Sequence, residues 1–235
     1  MSKKIAVVTG AGSGIGKAIS LELCRSGYHV WLLGRNGARL DRQQEACEAV
    51  DGTASVLEFD LMAPETFSEK LKQMTASTPN ISVLVNNAGT SGYGHILDVT
   101  EDKLSQCMHV NAVNLMLWTR TLAPIICESE DSAIINIASV ASRISYSGGG
   151  AYAASKHAVL GFTGCLFEDL RSHGVKVSAI MPGFVNTEMV QLPELDRQKM
   201  ISPEDIAEAV SYVLRSSPRV CPTEIKLMPQ MSPYR

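Results

Sequence analysis

Residues 4–16, KIAVVTGAGSGIG, join a short apolar run to a glycine-rich turn. The run KIAVVT is rich in β-branched residues and predicts a strand, and the pattern from residue 15 onwards predicts a helix. Glycines between a strand and a helix let backbone N–H groups approach a pyrophosphate closely. The strict spacing G-x-G-x-x-G is not kept, because Ile15 stands in the place of its third glycine. This stretch alone therefore predicts either a dinucleotide-binding turn or a merely flexible one.

Short β-branched runs alternate with longer amphipathic stretches along the rest of the chain. The predicted strands are mostly apolar without strict alternation, as strands buried on both faces should be. They cover residues 4–9, 29–33, 53–59, 81–86, 133–138, 175–181 and 223–228, and the predicted helices lie near 15–26, 37–50, 64–76, 101–128, 153–172 and 203–216. The expected fold class is α/β, a single Rossmann-type doubly wound parallel sheet of about seven strands with helices on both faces. We expect one domain over residues 1–235.

Composition and charge narrow the function classes. The 235 residues are 45% hydrophobic and 19% charged with a net charge of −3, which favours neither a nucleic-acid nor a membrane partner. The opening MSKKIAVVTG has too short an apolar run for a signal peptide, and no later stretch is long enough to cross a bilayer. The six cysteines are scattered without a CxxC or Cys/His pairing. We therefore expect reduced thiols, no metal site and a cytoplasmic location.

Five motifs occur in a fixed order along the chain. The glycine turn fits the pattern TGxxxGIG at residues 9–16, and NNAG follows the fourth predicted strand at 86–89. Asn111 lies within HVNAV, Ser139 lies within INIASVAS, YAASK occupies 152–156, and PGFVNT occupies 182–187. Together these motifs resemble the short-chain dehydrogenase/reductase family over residues 4–190. The resemblance implies reversible hydride transfer between nicotinamide C4 and a carbonyl or alcohol carbon.

The resemblance also assigns four catalytic residues. Tyr152 would donate and accept the proton, and Ser139 would hydrogen-bond the substrate oxygen. Lys156 would lower the pKa of the phenol and hold the nicotinamide ribose, and Asn111 would anchor a water that links Lys156 to solvent. An unperturbed phenol has a pKa near about 10, and lowering it by three units requires about 4 kcal/mol from the nearby ammonium. Without the other motifs, YAASK would be a plain amphipathic helix turn with Lys156 extended towards solvent.

The end of the second predicted strand bears on which dinucleotide binds. Relatives that select NAD carry an acidic residue there, which accepts a hydrogen bond from the adenosine ribose. Here Gly34 and Arg35 follow the strand, so no carboxylate repels a 2′-phosphate and a guanidinium is ready to pair with it. We therefore expect NADP(H). The alternative is that Arg35 is an ordinary solvated residue with no role in cofactor binding.

Further cofactor contacts follow from the resemblance. The Asp60 carboxylate would bind the adenine amino group, Val185 the nicotinamide carboxamide, and Thr187 the amide or a phosphate. Asn86 and Asn87 have an equally good structural interpretation, in which their amides tie neighbouring strands together. The complete predicted cofactor set is Gly10, Gly12, Ser13, Gly14, Ile15, Gly16, Arg35, Asn36, Asp60, Leu61, Asn87, Ala88, Gly89, Tyr152, Lys156, Pro182, Gly183, Val185 and Thr187.

The segment after Thr187 is the expected substrate lid. It is short, covering residues 188–202, and it ends where Ser202 and Pro203 predict the N-cap and first residue of a helix. A short lid favours an open pocket. Candidate lining residues, each of which could instead be ordinary packing, are Tyr93, His95, Ala141, Tyr146, Gly149, Phe184, Met189 and Leu192.

The expected function is an NADP(H)-dependent reductase of small carbonyl compounds or 3-oxo/3-hydroxy acids. The first alternative is a 3-oxoacyl-[acyl-carrier-protein] reductase, which the acidic segment ESED at 128–131 disfavours because a carrier protein is itself acidic. The second is a non-catalytic NADPH-binding sensor or scaffold, which has no need of a tuned phenol. The resemblance also implies a homodimer or homotetramer that pairs through the helices carrying Asn111 and Tyr152, where Gly161 and Gly164 permit close approach. The same helix face is also compatible with burial against the sheet.

Overall fold

The structure, a computed structural model, describes residues 3–62, 64–78, 80–190 and 192–234. Its strands are β1 (Ile5–Thr9), β2 (His29–Gly34), β3 (Thr53–Glu58), β4 (Ile81–Asn86), β5 (Ala133–Ile137), β6 (Lys176–Pro182) and β7 (Glu224–Leu227). Its helices are α1 (Gly14–Arg25), α2 (Gly37–Glu48), α3 (Pro64–Ser77), α4 (Glu101–Met108), α5 (Asn114–Cys127), α6 (Gly150–Leu170) and α7 (Pro203–Arg215).

All seven strands pair in parallel in one sheet, in the order β3-β2-β1-β4-β5-β6-β7. The prediction of a seven-stranded doubly wound sheet is confirmed. The chain leaves β1 towards β2 on one side and returns to β4 on the other side. Open α/β sheets bind ligands beyond the carboxyl ends of the strands at such a switch point.

The core has two layers because both faces of the sheet are covered. On one face, Ile19 and Leu23 of α1 pack with Val210 of α7. On the other face, Trp118 of α5 and Leu166 of α6 pack against the central strands. Every residue of β4 and β5 is buried, which explains why these strands are apolar without alternation.

One predicted helix differs from the structure. Residues 101–128 form α4, a single π-helical turn at His109–Val113, and α5. The wider turn contains Asn111, whose side chain is fully buried and hydrogen-bonded to the neighbouring loop and helix. Such turns are frequent at functional sites, and helical periodicity alone does not predict them.

The segment after β6 is anchored at several points. Leu195 and Ile201 are buried, Val185 pairs with Ile201, and Leu195 pairs with Tyr234 near the C-terminus. Ser202 caps α7 in a reciprocal capping box with Asp205, and Pro203 is the first helical residue, so the predicted helix start is confirmed.

Gln191 of the expected lid lies outside the described residues. Among the residues that the structure does describe, none of the helices has the length and apolar composition required to cross a membrane.

Candidate active site

A cleft of about 880 Å³, counting the space that opens to solvent, lies at the switch point of the sheet. It is bounded by the glycine turn, by the ends of β4 and β5, by α6, and by the loop after β6. The predicted cofactor residues that line it are Gly10, Ser13, Gly14, Ile15, Asn87, Ala88, Gly89, Tyr152, Lys156, Pro182, Gly183, Val185 and Thr187. The predicted catalytic Ser139 lines it as well.

The glycine turn has the geometry of a phosphate cradle. Gly10 and Gly14 have φ angles of +67° and +48°, a region that side chains rarely adopt. A Cβ at Gly14 would lie 3.0 Å from Thr187 Cγ2, across the cleft. Ser13, the N-cap of α1, makes no side-chain hydrogen bond to the first turn, whereas Asn36 caps α2 in that way. The first turn of α1 thus keeps backbone donors for an anion, and these residues fit a dinucleotide pyrophosphate.

The two asparagines of NNAG have structural contacts. Asn87 Nδ2 donates to the Thr9 carbonyl oxygen at 2.9 Å, and Thr9 Oγ1 accepts from the Asn87 and Ala88 backbone N–H groups at 2.9 and 3.0 Å. Asn86 Nδ2 donates to Thr119 Oγ1 at 3.0 Å and to Asn136 Oδ1 at 2.9 Å. The amides therefore tie strands and helices together, as the structural interpretation proposed, while Asn87 and Ala88 also line the cleft.

Tyr152 and Lys156 lie one turn apart on α6 and face the same cleft. Lys156 is buried, and its Nζ donates to the Ile137 carbonyl oxygen at 2.7 Å. The distance from Lys156 Nζ to the centre of the Tyr152 ring is 5.8 Å. Ser139 is buried two residues after β5, where its Oγ accepts from the Ala141 N–H at 3.1 Å.

The electrostatics of this pair differ from the sequence expectation. Burial raises the pKa of Tyr152 to about 12, an effect that the Ser139 side chain opposes and that Tyr146 and Cys107 reinforce. Burial also lowers the pKa of Lys156 to about 8. The loss of hydration therefore dominates both groups, and the pKa of the phenol shifts in the opposite direction to the one expected from the lysine alone.

Asn111 joins the loop after β4 to α6. Its Oδ1 accepts from the Thr90 N–H at 2.7 Å, and its Nδ2 donates to the Thr90 carbonyl at 2.9 Å and to Ser155 Oγ at 3.0 Å. Cys107 is also buried here, with its Sγ 3.4 Å from Asn111 Nδ2. Sequence reasoning missed Cys107, Thr90 and Ser155, since nothing in their local patterns marks them.

Two predicted adenosine contacts lie at the end of β3. Asp60 is exposed, and its Oδ1 accepts from the Met62 N–H at 2.9 Å. The Leu61 carbonyl accepts from Asn114 Nδ2 at 2.8 Å, so α5 fixes this loop. Neither residue is among those that line the cleft.

The loop between β2 and α2 carries the expected 2′-phosphate residues. Arg35 is exposed, and Asn36 Oδ1 accepts from the Arg39 N–H at 3.0 Å. A Cβ at Gly37 would lie 2.6 Å from Glu58 Oε2, so a carboxylate from β3 packs against the start of α2. The second strand itself ends without a carboxylate, as expected, but parallel pairing places Glu58 of β3 beside Gly34, and the sequence interpretation did not include this charge.

An ion pair that the sequence did not predict connects α2 to the loop after β6. Arg39 Nη1 donates to Glu188 Oε2 at 2.9 Å, and Glu188 lines the cleft. A Cβ at Gly12 would lie 3.1 Å from Arg39 Cβ, so Arg39 lies on the glycine turn. Gly16 packs still more closely, because a Cβ there would clash with the Gly10 carbonyl oxygen.

The substrate-side candidates lie in different environments. Met189 lines the cleft, Leu192 is exposed, and the rings of Tyr93 and Tyr146 lie against the backbone of Gly148 and Gly149. Three other candidates have local roles: Ala141 is buried under Ser139, Phe184 packs edge-to-face on Tyr234, and the exposed His95 accepts a hydrogen bond from the Leu97 N–H.

The acidic segment 128–131 does not lie near the cleft. Asp131 pairs with Lys4 at 2.8 Å, just before β1, and Ser129 Oγ donates to the Ile81 carbonyl oxygen at the start of β4. The segment therefore lies at the amino edge of the parallel sheet, opposite Tyr152. Its charge gives no argument against a carrier protein at the active site, so that part of the sequence argument is wrong.

Comparisons with known proteins agree with this geometry. A family model described as short chain dehydrogenase matches residues 4–198. An uncharacterized oxidoreductase of Staphylococcus epidermidis is 31% identical over 229 residues, which cover 97% of this chain and 98% of that protein. A metagenomic short-chain oxidoreductase solved in complex with NADP is 29% identical, with a TM-score of 0.84 over 97% of this chain and 98% of that one.

A variant of actinorhodin polyketide ketoreductase solved with NADPH is 25% identical, with a TM-score of 0.88 over 97% of this chain and 96% of that one. The family model matches well over half of the chain, and the uncharacterized relative covers nearly all of it. Together they show that the chain belongs to the short-chain dehydrogenase/reductase family.

Proposed function

We propose that this protein is an NADP(H)-dependent oxidoreductase that interconverts a carbonyl compound and the corresponding alcohol. One observation carries the proposal: Tyr152, Lys156 and Ser139 line the same cleft as the glycine turn. A protein that only bound a dinucleotide would have no use for the half-buried Tyr152 phenol and the buried Ser139 hydroxyl beside its phosphate cradle, since withdrawing polar groups from water is costly.

The chain's own groups handle the proton. Because its pKa is raised to about 12, Tyr152 is protonated at neutral pH and can donate to a substrate oxygen. Ser139 is positioned to hold that oxygen beside the phenol. When bound, a reduced nicotinamide supplies the hydride for the carbonyl carbon. Lys156, held by the Ile137 carbonyl, lies where its remaining N–H donors can bind a ribose hydroxyl.

The preference for NADP(H) is supported at the adenosine end. Arg35 places an exposed guanidinium in the loop between β2 and α2, and guanidinium pairs well with a phosphate. The two solved relatives described above were determined with NADP or NADPH. Glu58 opposes this preference, so we expect selectivity rather than strict exclusion of NAD(H).

Two further properties belong to the proposal. We infer a homodimer or homotetramer, because Gly161 and Gly164 lie on the exposed face of α6, with no described atom within 4 Å of a Cβ placed there. The alternative, burial of this face against the sheet, does not hold at these two glycines. We also infer a cytoplasmic location, which the six free cysteines favour.

Replacing Tyr152 with phenylalanine tests the activity. Tyr152→Phe should lower kcat/KM for NADPH-dependent reduction of a small diketone by a factor of about 10² to 10⁴, because it removes the proton donor. NADPH binding, measured by calorimetry, should stay within a few-fold of wild type. Tyr212→Phe, at an exposed position on α7, is the matched control and should leave the rate unchanged. A Tyr152→Phe enzyme with the wild-type rate would refute the proposal.

A further inference from the structure

Three loops follow β4, β5 and β6 at the carboxyl edge of the sheet, on the side of Tyr152. We propose, given the function proposed above, that these loops select an uncharged carbonyl compound with an apolar or aromatic group and reject a carboxylate. Of the two substrate kinds expected from the sequence, this favours small neutral carbonyl compounds over 3-oxo acids.

The three loops present large apolar side chains to solvent. We call this set the apolar rim: Tyr93, Ile96, Leu97, Ile144, Tyr146 and Met189. Ile96 and Leu97 are 74% and 84% exposed, which is a high cost for side chains with no function. Apolar side chains around a few polar groups are the usual composition of a small-molecule site.

Contacts between the loops connect the apolar rim to the catalytic residue. The Gly94 N–H donates to the Gly148 carbonyl oxygen at 2.9 Å, which joins the first loop to the second. A Cβ at Gly148 would lie 2.7 Å from the Tyr93 ring, and one at Gly149 would lie 2.5 Å from the Tyr146 ring. Both rings thus lie against the backbone of Gly148 and Gly149, which leads directly into α6. Gly149 is three residues before Tyr152. Met189 continues the apolar rim within the cleft.

The cations of these loops are already engaged. Arg143 makes two hydrogen bonds to the Glu224 carboxylate at 2.7 and 2.9 Å. Arg197 donates to Asn186 Oδ1 at 3.0 Å and to the Val190 carbonyl at 2.9 Å. In the described parts of the loops after β4, β5 and β6, the one other lysine or arginine is Lys199, which pairs with Asp196 at 3.7 Å.

Among the described lysines and arginines of these loops, a carboxylate substrate would therefore meet only paired cations, and it would have to displace an existing partner to bind one. It would lose hydration against apolar side chains without gaining a charge-assisted hydrogen bond, which is unfavourable. Asp98 and Glu194 are exposed on the same loops and add negative charge there. A neutral substrate avoids both costs and buries its apolar group against the two tyrosine rings.

Two aldehydes that differ in one charge test the proposal. Methyl 4-formylbenzoate and 4-formylbenzoate carry the same reactive aldehyde at neutral pH, but the second is an anion. With NADPH, kcat/KM should be at least about tenfold higher for the ester, corresponding to roughly 1.4 kcal/mol. Equal efficiency, or a preference for the acid, would overturn the inference while leaving the proposed function intact. If neither aldehyde were reduced although the diketone was, the inference alone would fall, whereas failure of the diketone as well would contradict the proposed function itself.

Adding a cation to the apolar rim tests the same proposal in the opposite direction. Ile144→Lys places an ammonium on the apolar rim next to Arg143 and should raise the acid-to-ester ratio of kcat/KM at least threefold. Tyr212→Lys adds the same charge on α7, away from the cleft, and should leave the ratio unchanged. Thermal unfolding of both variants confirms that they are folded. A ratio that moves equally in both variants, or in neither, would also overturn the inference.

Discussion

Lys156 Nζ donates a 2.7 Å hydrogen bond to the carbonyl oxygen of Ile137, the last residue of β5. The ammonium is thus held at the end of the sheet, 5.8 Å from the centre of the Tyr152 ring. This contact fixes the lysine in the cleft but does not remove the cost of burying its charge. The pKa of Lys156 falls to about 8 for this reason.

The stability of the protein should rise with pH where Lys156 loses its proton. Its pKa is lowered by burial to about 8, whereas an unfolded lysine has a pKa near about 10.4. Between these values the unfolded state binds more protons, so the free energy of unfolding increases with pH. Relative to Lys156→Met, the wild-type protein should gain about 2 kcal/mol between pH 7 and pH 10. Urea unfolding of both proteins at each pH measures this, and a constant difference would show that Lys156 is not buried as a cation.

The charges of Arg35 and Glu58, which lie near the start of α2, should have opposite effects on the preference for NADPH over NADH. Arg35→Ala removes a guanidinium and should lower the ratio of kcat/KM for NADPH over NADH about tenfold, the size of one charge-assisted hydrogen bond. Glu58→Gln removes the carboxylate that packs on Gly37 and should raise the same ratio. Arg219→Ala, at an exposed position before β7, is the control. An unchanged ratio in Arg35→Ala would contradict its assignment to the 2′-phosphate.

Asn111 should matter for stability as well as for activity. Asn111→Ala leaves the N–H and carbonyl of Thr90 and the hydroxyl of Ser155 without their amide partner. Unpaired buried polar groups cost about 1 to 3 kcal/mol each, so the free energy of unfolding should fall by about 2 to 4 kcal/mol after partial relaxation. Asn186→Ala, which removes an exposed amide, should cost less than about 1 kcal/mol. Denaturant unfolding measures the loss of unfolding free energy in both variants. Equal losses would show that the buried hydrogen bonds of Asn111 stabilise the protein no more than an exposed amide does.

The sequence predicted the features that depend on local spacing. Strand and helix bounds follow from apolar periodicity, the start of α7 follows from Ser202 and Pro203, and the shared face of Tyr152 and Lys156 follows from their four-residue separation. These are properties of one element at a time. The predicted bounds therefore differ from the structure by at most a few residues, except across the π-helical turn.

The remaining features depend on the packing of distant segments. Glu58 reaches Gly37 because two strands pair in register, and Arg39 reaches Glu188 across 149 positions of sequence. The direction of the pKa shift of Tyr152 depends on how completely the phenol is buried. No local pattern encodes burial or long-range contact, so these features required the three-dimensional structure.

The ion pair between Arg39 and Glu188 should limit the affinity for the dinucleotide. Arg39 lies on the glycine turn and Glu188 lines the cleft beside Thr187, so the pair bridges the two sides between which the phosphates would lie. The Glu188 side chain is largely exposed and that of Arg39 is partly exposed, so the pair is worth less than about 1 kcal/mol and can open readily. Glu188→Gln removes a negative charge from the cleft and releases Arg39 to bind phosphate. The Kd for NADPH, measured by calorimetry, should therefore fall about two- to fivefold, and the effect should shrink at high salt. Glu194→Gln, which removes a carboxylate from the same segment, is the control and should leave the Kd unchanged. Weaker binding by Glu188→Gln would contradict the prediction and show that the ion pair organises the cleft for its ligand.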